Sequence, residues 1–218
     1  MIKAVIFEMD GLLLDTERVY FEGYRRARAA IGRPENDAGF LAMIGLPLPA
    51  GRKLLEAEFG VDCTRFVDHW DDEIAQLMAD KIPVKPGVRP LITKRQQRQI
   101  PYAIATSTYT AKAHHHLARA ELGDLFETII GGDQVTNGKP APDIYLKAAD
   151  TLGIAPAQCA AFEDSENGVR AAVAAGMITV QIPDIKPPSD ALLALGHQVA
   201  DTLLDGAALL DLIQTEPL

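Results

Sequence analysis

The chain has 218 residues, enough for one large domain or two modest ones with a proper hydrophobic core. Hydrophobic residues make up 48% of it, which excludes a disordered or fibrous class. A formal charge of −9 argues against general affinity for nucleic acid, which needs a basic surface, but leaves room for a small phosphorylated ligand held at one cationic spot. Cys63 and Cys159 are far apart and fit no metal-ligand spacing, so buried free thiols are expected. Met1-Ile2-Lys3 leads into an apolar strand with no cleavable leader pattern, and no apolar run reaches membrane-spanning length. A cytoplasmic protein without membrane association is therefore expected.

The first predicted element is a strand over residues 4–7, short and rich in β-branched residues, as suits a strand buried on both faces. It runs into Glu8-Met9-Asp10-Gly11-Leu12-Leu13-Leu14-Asp15-Thr16. Glu8 and Asp10 share one side of the extended chain, because side-chain direction alternates with period two. Neighbouring acids at a strand end repel each other, and a cation between them would relieve the repulsion. With no thiolate nearby, that cation is expected to be Mg²⁺, a hard ion that prefers oxygen. The alternative is two acids simply solvated at a strand end.

After Thr16 the apolar period changes to that of a helix. Val19, Tyr20, Tyr24, Ala27 and Ile31 form one stripe over residues 17–31, which Gly32-Arg33-Pro34 stops. Further helices are predicted at 37–44, 50–59 and 64–81, punctuated by Gly45, Pro47, Pro49 and Gly60. No strand pattern occurs between Thr16 and Ile82. From Pro86-Gly87 strands alternate with helices: helix 88–99, strand 102–105, helix 110–121, strand 128–130, helix 143–152, strand 159–162, helix 167–175 and strand 178–182. Closing helices are predicted at 191–195 and 203–213. This rhythm predicts an α/β, Rossmann-like doubly wound parallel sheet with helices on both faces. Its catalytic core would comprise residues 1–16 and 83–218, with an inserted all-α helical cap at 17–82 over the carboxyl edge of the sheet.

Ligands of such sheets bind beyond the carboxyl ends of the strands, and the reactive residues collect there. Strand one ends at Glu8 and Asp10. Strand 102–105 ends in Thr106-Ser107-Thr108. Lys139 stands in Gly138-Lys139-Pro140-Ala141-Pro142-Asp143 before a helix, and strand 159–162 ends at Glu163-Asp164-Ser165. Each has a plain reading: a capping loop for the hydroxyls, a solvated lysine, acids favoured by a helix dipole. Together they describe one chemistry, with carboxylates to hold Mg²⁺ and hydroxyl, amide and ammonium donors to hold phosphate oxygens.

These motifs resemble those of the haloacid dehalogenase superfamily, in the branch with a helical cap after the first motif. That family begins with Asp-x-Asp-Gly-x-x-x-Asp-Thr, matched here by Glu8 through Thr16. Its second motif is matched by Thr106, its lysine motif Gly-Lys-Pro-x-Pro by Lys139, and its final acidic pair by Glu163-Asp164. The resemblance implies hydrolysis of a small phosphorylated metabolite, such as a sugar phosphate, through an acyl-phosphate on the residue at position 8. It implies Asp10 as general acid and base, and Thr106 and Lys139 on the transferring group. Gly11, Asp15 and Ser107 would line the substrate, and Mg²⁺ would sit among Glu8, Asp10 and Asp164 with Glu163 nearby. A monomer or weak homodimer is expected.

Two departures stand out. The family's nucleophile is aspartate, and this chain has Glu8, whose extra methylene moves the attacking oxygen outward by about 1.5 Å. Impaired turnover is expected, with a catalytically inactive binder of a phosphometabolite or protein partner as the alternative. Relatives of the beta-phosphoglucomutase type carry an arginine soon after the glycine of the cap. Here Gly45 is followed by Leu46-Pro47-Leu48-Pro49, with Arg52 only later, which weakens a mutase reading. His114-His115-His116 is not expected to bind metal, since consecutive helical residues point apart. Phe66 and Trp70 read as the apolar face of a helix, with substrate contact as the alternative. Arg25, Arg26, Arg28 and the run Lys94, Arg95, Arg98 read as solvated helix faces.

Overall fold

The computed structural model describes residues 1–44, 46, 48–95, 100–126 and 128–213. Gly45 and Pro47, on which the mutase comparison turns, and Arg98 and Gln99, at the end of a predicted helix, lie outside the described residues. The chain divides into two compact units, Met1–Asp15 with Pro83–Leu218, and Thr16–Ile82.

The Thr16–Ile82 unit is helical, with α1 (Thr16–Ala30), α2 (Asp37–Met43), α3 (Leu48–Phe59) and α4 (Cys63–Leu77). Its core is aromatic. Tyr24 meets Phe66 edge-on at 5.3 Å, Phe59 stacks on Phe66 at 4.0 Å, and Trp70 packs on Tyr24 and Phe66. Phe66 is fully buried and the Trp70 indole N–H donates to the Tyr20 carbonyl at 2.8 Å, so both rings serve this core, as the apolar-face reading has it. Arg28 departs from the solvated reading. It is buried, ion-paired with Glu58, and donates to the Pro34 carbonyl at 2.8 Å and the Tyr24 hydroxyl at 3.0 Å. A buried guanidinium is tolerated only when so fully partnered.

The other unit is built on six parallel strands: β1 (Ala4–Phe7), β2 (Tyr102–Ala105), β3 (Thr128–Ile130), β4 (Cys159–Glu163), β5 (Ile178–Gln181) and β6 (Gln198–Val199). Their order is β3-β2-β1-β4-β5-β6, and every neighbouring pair is parallel. β1, β2 and β4 are buried throughout, as parallel strands covered on both faces must be. On one face small residues, Ala4, Ala103, Ala105 and Ala161, admit helices α7 (Asp143–Thr151) and α8 (Glu166–Ala174) closely, against Ile144, Tyr145, Ala148 and Ala171. The aromatic contacts centre on Phe7, which meets Tyr102 at 5.1 Å and Phe162 at 5.4 Å. Helices α5 (Val88–Arg95), α6 (Thr110–Arg119), α9 (Asp190–Leu193) and α10 (Leu203–Leu209) complete the unit.

This is the doubly wound parallel sheet expected. The sequence reading missed β6, a two-residue exposed edge strand with no apolar alternation to announce it. α10 stops earlier than predicted, and Asp211 beyond it has left-handed backbone, φ 53°, which a continuing helix forbids. Both cysteines are free and buried. Strand order reverses between β1 and β4, so the crevice at their carboxyl ends is the switch point where ligands of such sheets bind.

Candidate active site

Phe7 pairs with Phe162, and the Glu8 N–H continues the ladder by donating to the Phe162 carbonyl at 3.0 Å. Glu8 therefore leaves β1 beside Glu163, the last residue of β4. The chain turns back at Gly11, whose φ of +76° suits glycine, and the Leu13 and Leu14 N–H groups both donate to the Met9 carbonyl at 2.9 Å. One strand away, the Thr106 N–H donates to the Ile130 carbonyl at 3.0 Å as the last rung between β2 and β3. That rung fixes the fully buried Thr106 hydroxyl, which donates to Glu8 Oε1 at 2.6 Å.

Lys139 reaches the same point from the loop before α7. Its Nζ donates to Glu8 Oε2, to Glu163 Oε1 at 2.6 Å and to the Ala105 carbonyl at 3.0 Å, and lies 3.5 Å from the Tyr145 hydroxyl. Glu163 is fully buried and wholly engaged. Oε1 also accepts from the Tyr145 hydroxyl at 2.7 Å, while Oε2 accepts from the Asp164 N–H, the Ser165 N–H and the Ser165 hydroxyl at 3.1 to 3.2 Å. The Ser165 oxygen in turn caps α8, accepting from the Gly168 N–H at 3.2 Å. Gly168 is bare for a reason: a β-carbon there would overlap the Glu163 carboxylate.

Asp10 stands one step away. Its Oδ2 accepts from the Thr108 hydroxyl at 2.7 Å, and its Oδ1 lies 4.0 Å from the buried His116 Nδ1. Burial lowers the His116 pKa although Asp10 opposes the shift, so this imidazole is neutral at neutral pH. Burial, with the neighbouring charges of Glu163 and Asp10, raises the Glu8 pKa to about 7 against the pull of Lys139. Burial would lower that of Lys139, but Glu163 and Glu8 overcome it and hold the ammonium charged.

The structure thus brings Glu8, Thr106, Lys139 and Glu163 into direct contact, with Asp10 beside them through Thr108. Asp164 follows Glu163, and its carbonyl accepts from the Gln181 amide at 3.2 Å. Ser107 is exposed on the loop after β2. Asp15 lies beside Lys85. Its carboxylate lies 3.6 Å from Lys85 Nζ, which also contacts Asp184 at 2.5 Å, and its N–H donates to the Pro83 carbonyl. The sequence does not single out Tyr145, Thr108 or Gly168, and it offers His116 only within a histidine tract not expected to bind metal. Thr108 was the findable one, in a run of three hydroxyls already noted. Nothing marks Tyr145 beyond an aromatic with a polar handle near a helix start.

Lys139 pairs with two carboxylates, Glu8 and Glu163, and two more acids, Asp10 and Asp164, follow the same strand ends. An anionic ligand would be repelled from such a group unless a cation joined it. Among the described residues no three His, Cys, Asp or Glu side chains form a ready-made metal cage. Mg²⁺ does not need one, since it binds through one or two carboxylates and otherwise through water and substrate oxygens. Glu8, Asp164 and the Asp10 carbonyl follow the ends of β1 and β4 and offer oxygen donors only, the donor chemistry that Mg²⁺ prefers.

Fold and site together define a hydrolase of phosphatase type. The haloacid dehalogenase-like hydrolase family matches residues 2–176, and the chain belongs to it. It is 34% identical over 213 residues to a phosphorylated carbohydrates phosphatase of Thermotoga maritima, covering 96% of this chain and 90% of that protein. A solved Thermotoga maritima structure, described as a candidate beta-phosphoglucomutase, matches with TM-score 0.81 and 33% identity, over 98% of this chain and all of the other. A family hydrolase from Deinococcus radiodurans, solved with bound phosphate and sodium, matches with TM-score 0.81 and 26% identity over 96% of each chain. Among the described residues no helix is long and apolar enough to cross a membrane.

Proposed function

We propose that this enzyme hydrolyses phosphate monoesters of small phosphorylated carbohydrates, with Mg²⁺ held by Glu8, Asp164 and the Asp10 carbonyl. The observation that carries the reading is the convergence of the Thr106 hydroxyl and the Lys139 ammonium on the carboxylate at position 8. Those are the donors that a phosphoryl group transferred to that carboxylate would need, at the place it would arrive. Mg²⁺, when bound, supplies positive charge against the phosphate and the nucleophile.

In the first step a Glu8 oxygen attacks phosphorus, the bond from phosphorus to the ester oxygen breaks, and Asp10 gives that leaving oxygen its proton. In the second, Asp10 takes a proton from water as the water oxygen attacks the acyl-phosphate, releasing inorganic phosphate and restoring the Glu8 carboxylate. Thr108 orients Asp10 for both transfers through its 2.7 Å hydrogen bond. Glu163, held by protein donors on both oxygens, acts with Tyr145 as the anchor that aims Lys139.

The second reading, a non-catalytic binder of phosphorylated ligands, rests on Glu8 itself. Its extra methylene displaces the attacking atom by about 1.5 Å, and misplacement of about 1 Å can cost roughly 10²-fold in rate. The two readings separate in one assay: release of inorganic phosphate from a panel of sugar phosphates by the native and Glu8→Asp proteins, with and without Mg²⁺. Metal-dependent turnover by Glu8→Asp supports the phosphomonoesterase, and its absence on every ester sinks it. Conversion of a hexose 1-phosphate to the 6-phosphate in the same panel would replace hydrolysis with the mutase reaction.

A further inference from the structure

We propose that Glu8 is an internal occupant of the phosphate seat: its carboxylate takes the hydrogen-bond donors that a phosphate would otherwise use, so that this chain binds phosphate only by displacing its own side chain. The proposal rests on the reading above, in which Thr106 and Lys139 hold the phosphoryl group.

The argument is a count of donors. An ammonium has three hydrogens and a threonine hydroxyl has one. For its three hydrogens Lys139 has four acceptors, Glu8 Oε2, Glu163 Oε1, the Ala105 carbonyl and, at 3.5 Å, the Tyr145 hydroxyl. The single Thr106 hydrogen goes to Glu8 Oε1. No hydrogen of either group is left for a phosphate oxygen. Two of the acceptors are fixed, since Glu163 is fully buried under five donors and the Ala105 carbonyl belongs to β2. Glu8 is held by fewer donors, one on each carboxylate oxygen. A planar carboxylate spanning a hydroxyl on one oxygen and an ammonium on the other presents the same pair of anionic oxygens that one edge of a phosphate presents.

Reach, rather than charge, is what the proposal assigns to Glu8. Glu8→Asp keeps the charge and withdraws the carboxylate by about 1.5 Å. Glu8→Gln keeps the reach and removes the charge. The test is calorimetric titration of inorganic phosphate, with Mg²⁺ present, into the native, Glu8→Asp and Glu8→Gln proteins, each first shown to be folded by circular dichroism. Freeing two charge-assisted hydrogen bonds should tighten phosphate binding by Glu8→Asp about tenfold or more over native. Glu8→Asp binding within about twofold of native overturns the proposal. So does a gain confined to Glu8→Gln, which would make charge the barrier. If Glu8→Asp hydrolyses esters while its phosphate affinity stays native, the inference falls and the phosphatase reading stands. If no variant binds phosphate and Glu8→Asp turns over no ester, both fall together.

Discussion

Gly168 lies in the first turn of α8, where alanine would ordinarily be an improvement. Replacing an interior helical glycine by alanine contributes about 1 kcal/mol of helix propensity. Here the added β-carbon would overlap the carboxyl carbon and both oxygens of Glu163, a group with no exposed surface. The carboxylate must move, and it is held by five hydrogen bonds, including the Lys139 pair. Overpacking of a tight core costs about 1–3 kcal/mol, and breaking a buried ion pair about 3–5 kcal/mol. Partial loss of both outweighs the propensity gain, so Gly168→Ala is expected to destabilise the protein by about 2–4 kcal/mol. Urea unfolding followed by far-ultraviolet circular dichroism reads this directly. A variant as stable as native, or more so, would refute the placement of Glu163 against α8.

Two further outcomes follow from the same group. Lys139→Met leaves Glu8 and Glu163 buried side by side without their cation, and stability should fall by about 3–5 kcal/mol near neutral pH, with part of the loss recovered in acid as the carboxylates protonate; a loss that deepens in acid would contradict the pairing. Glu8, with its pKa raised from 4.5 to about 7, binds more protons folded than unfolded between those values. Its contribution is therefore full below pH 4.5 and is lost as pH rises through about 7. Urea titrations at several pH values should show native stability declining across that window relative to Glu8→Gln, and a rise would show the sign to be wrong.

The sheet and the site's main members were legible because parallel strands buried on both faces are apolar runs, and the runs of β1, β2 and β4 stop at Glu8, Thr106 and Glu163. Glu8, Thr106 and Glu163 could be read as one site on that rule, while Lys139, in the loop before α7, was legible from its Gly-Lys-Pro-x-Pro setting. What stayed hidden has a common physical character. Tyr145 and Gly168 support the site from helices α7 and α8, through a hydroxyl and through an absence of side chain, and neither leaves a pattern in a linear sequence. His116 and its neighbours His114 and His115 look alike as a tract, but only His116 is buried, facing Asp10. Arg28 shows the converse error: a basic residue in a charged helix read as solvated, although partners from Pro34 and Glu58 make its burial tolerable. Asp15 matched the motif, yet its carboxylate serves Lys85, a pairing between residues far apart in the chain.

The central claim is that residue 8 carries the phosphoryl group between ester and water. Acid quenching of Glu8→Asp protein during turnover of a sugar phosphate with Mg²⁺, followed by peptide mass spectrometry, tests it most directly. A phosphorylated peptide containing residue 8, formed quickly in Glu8→Asp and about 10²-fold more slowly in the native chain, is the predicted result. Steady turnover with a phosphoryl group on any other residue, or on none, would contradict it.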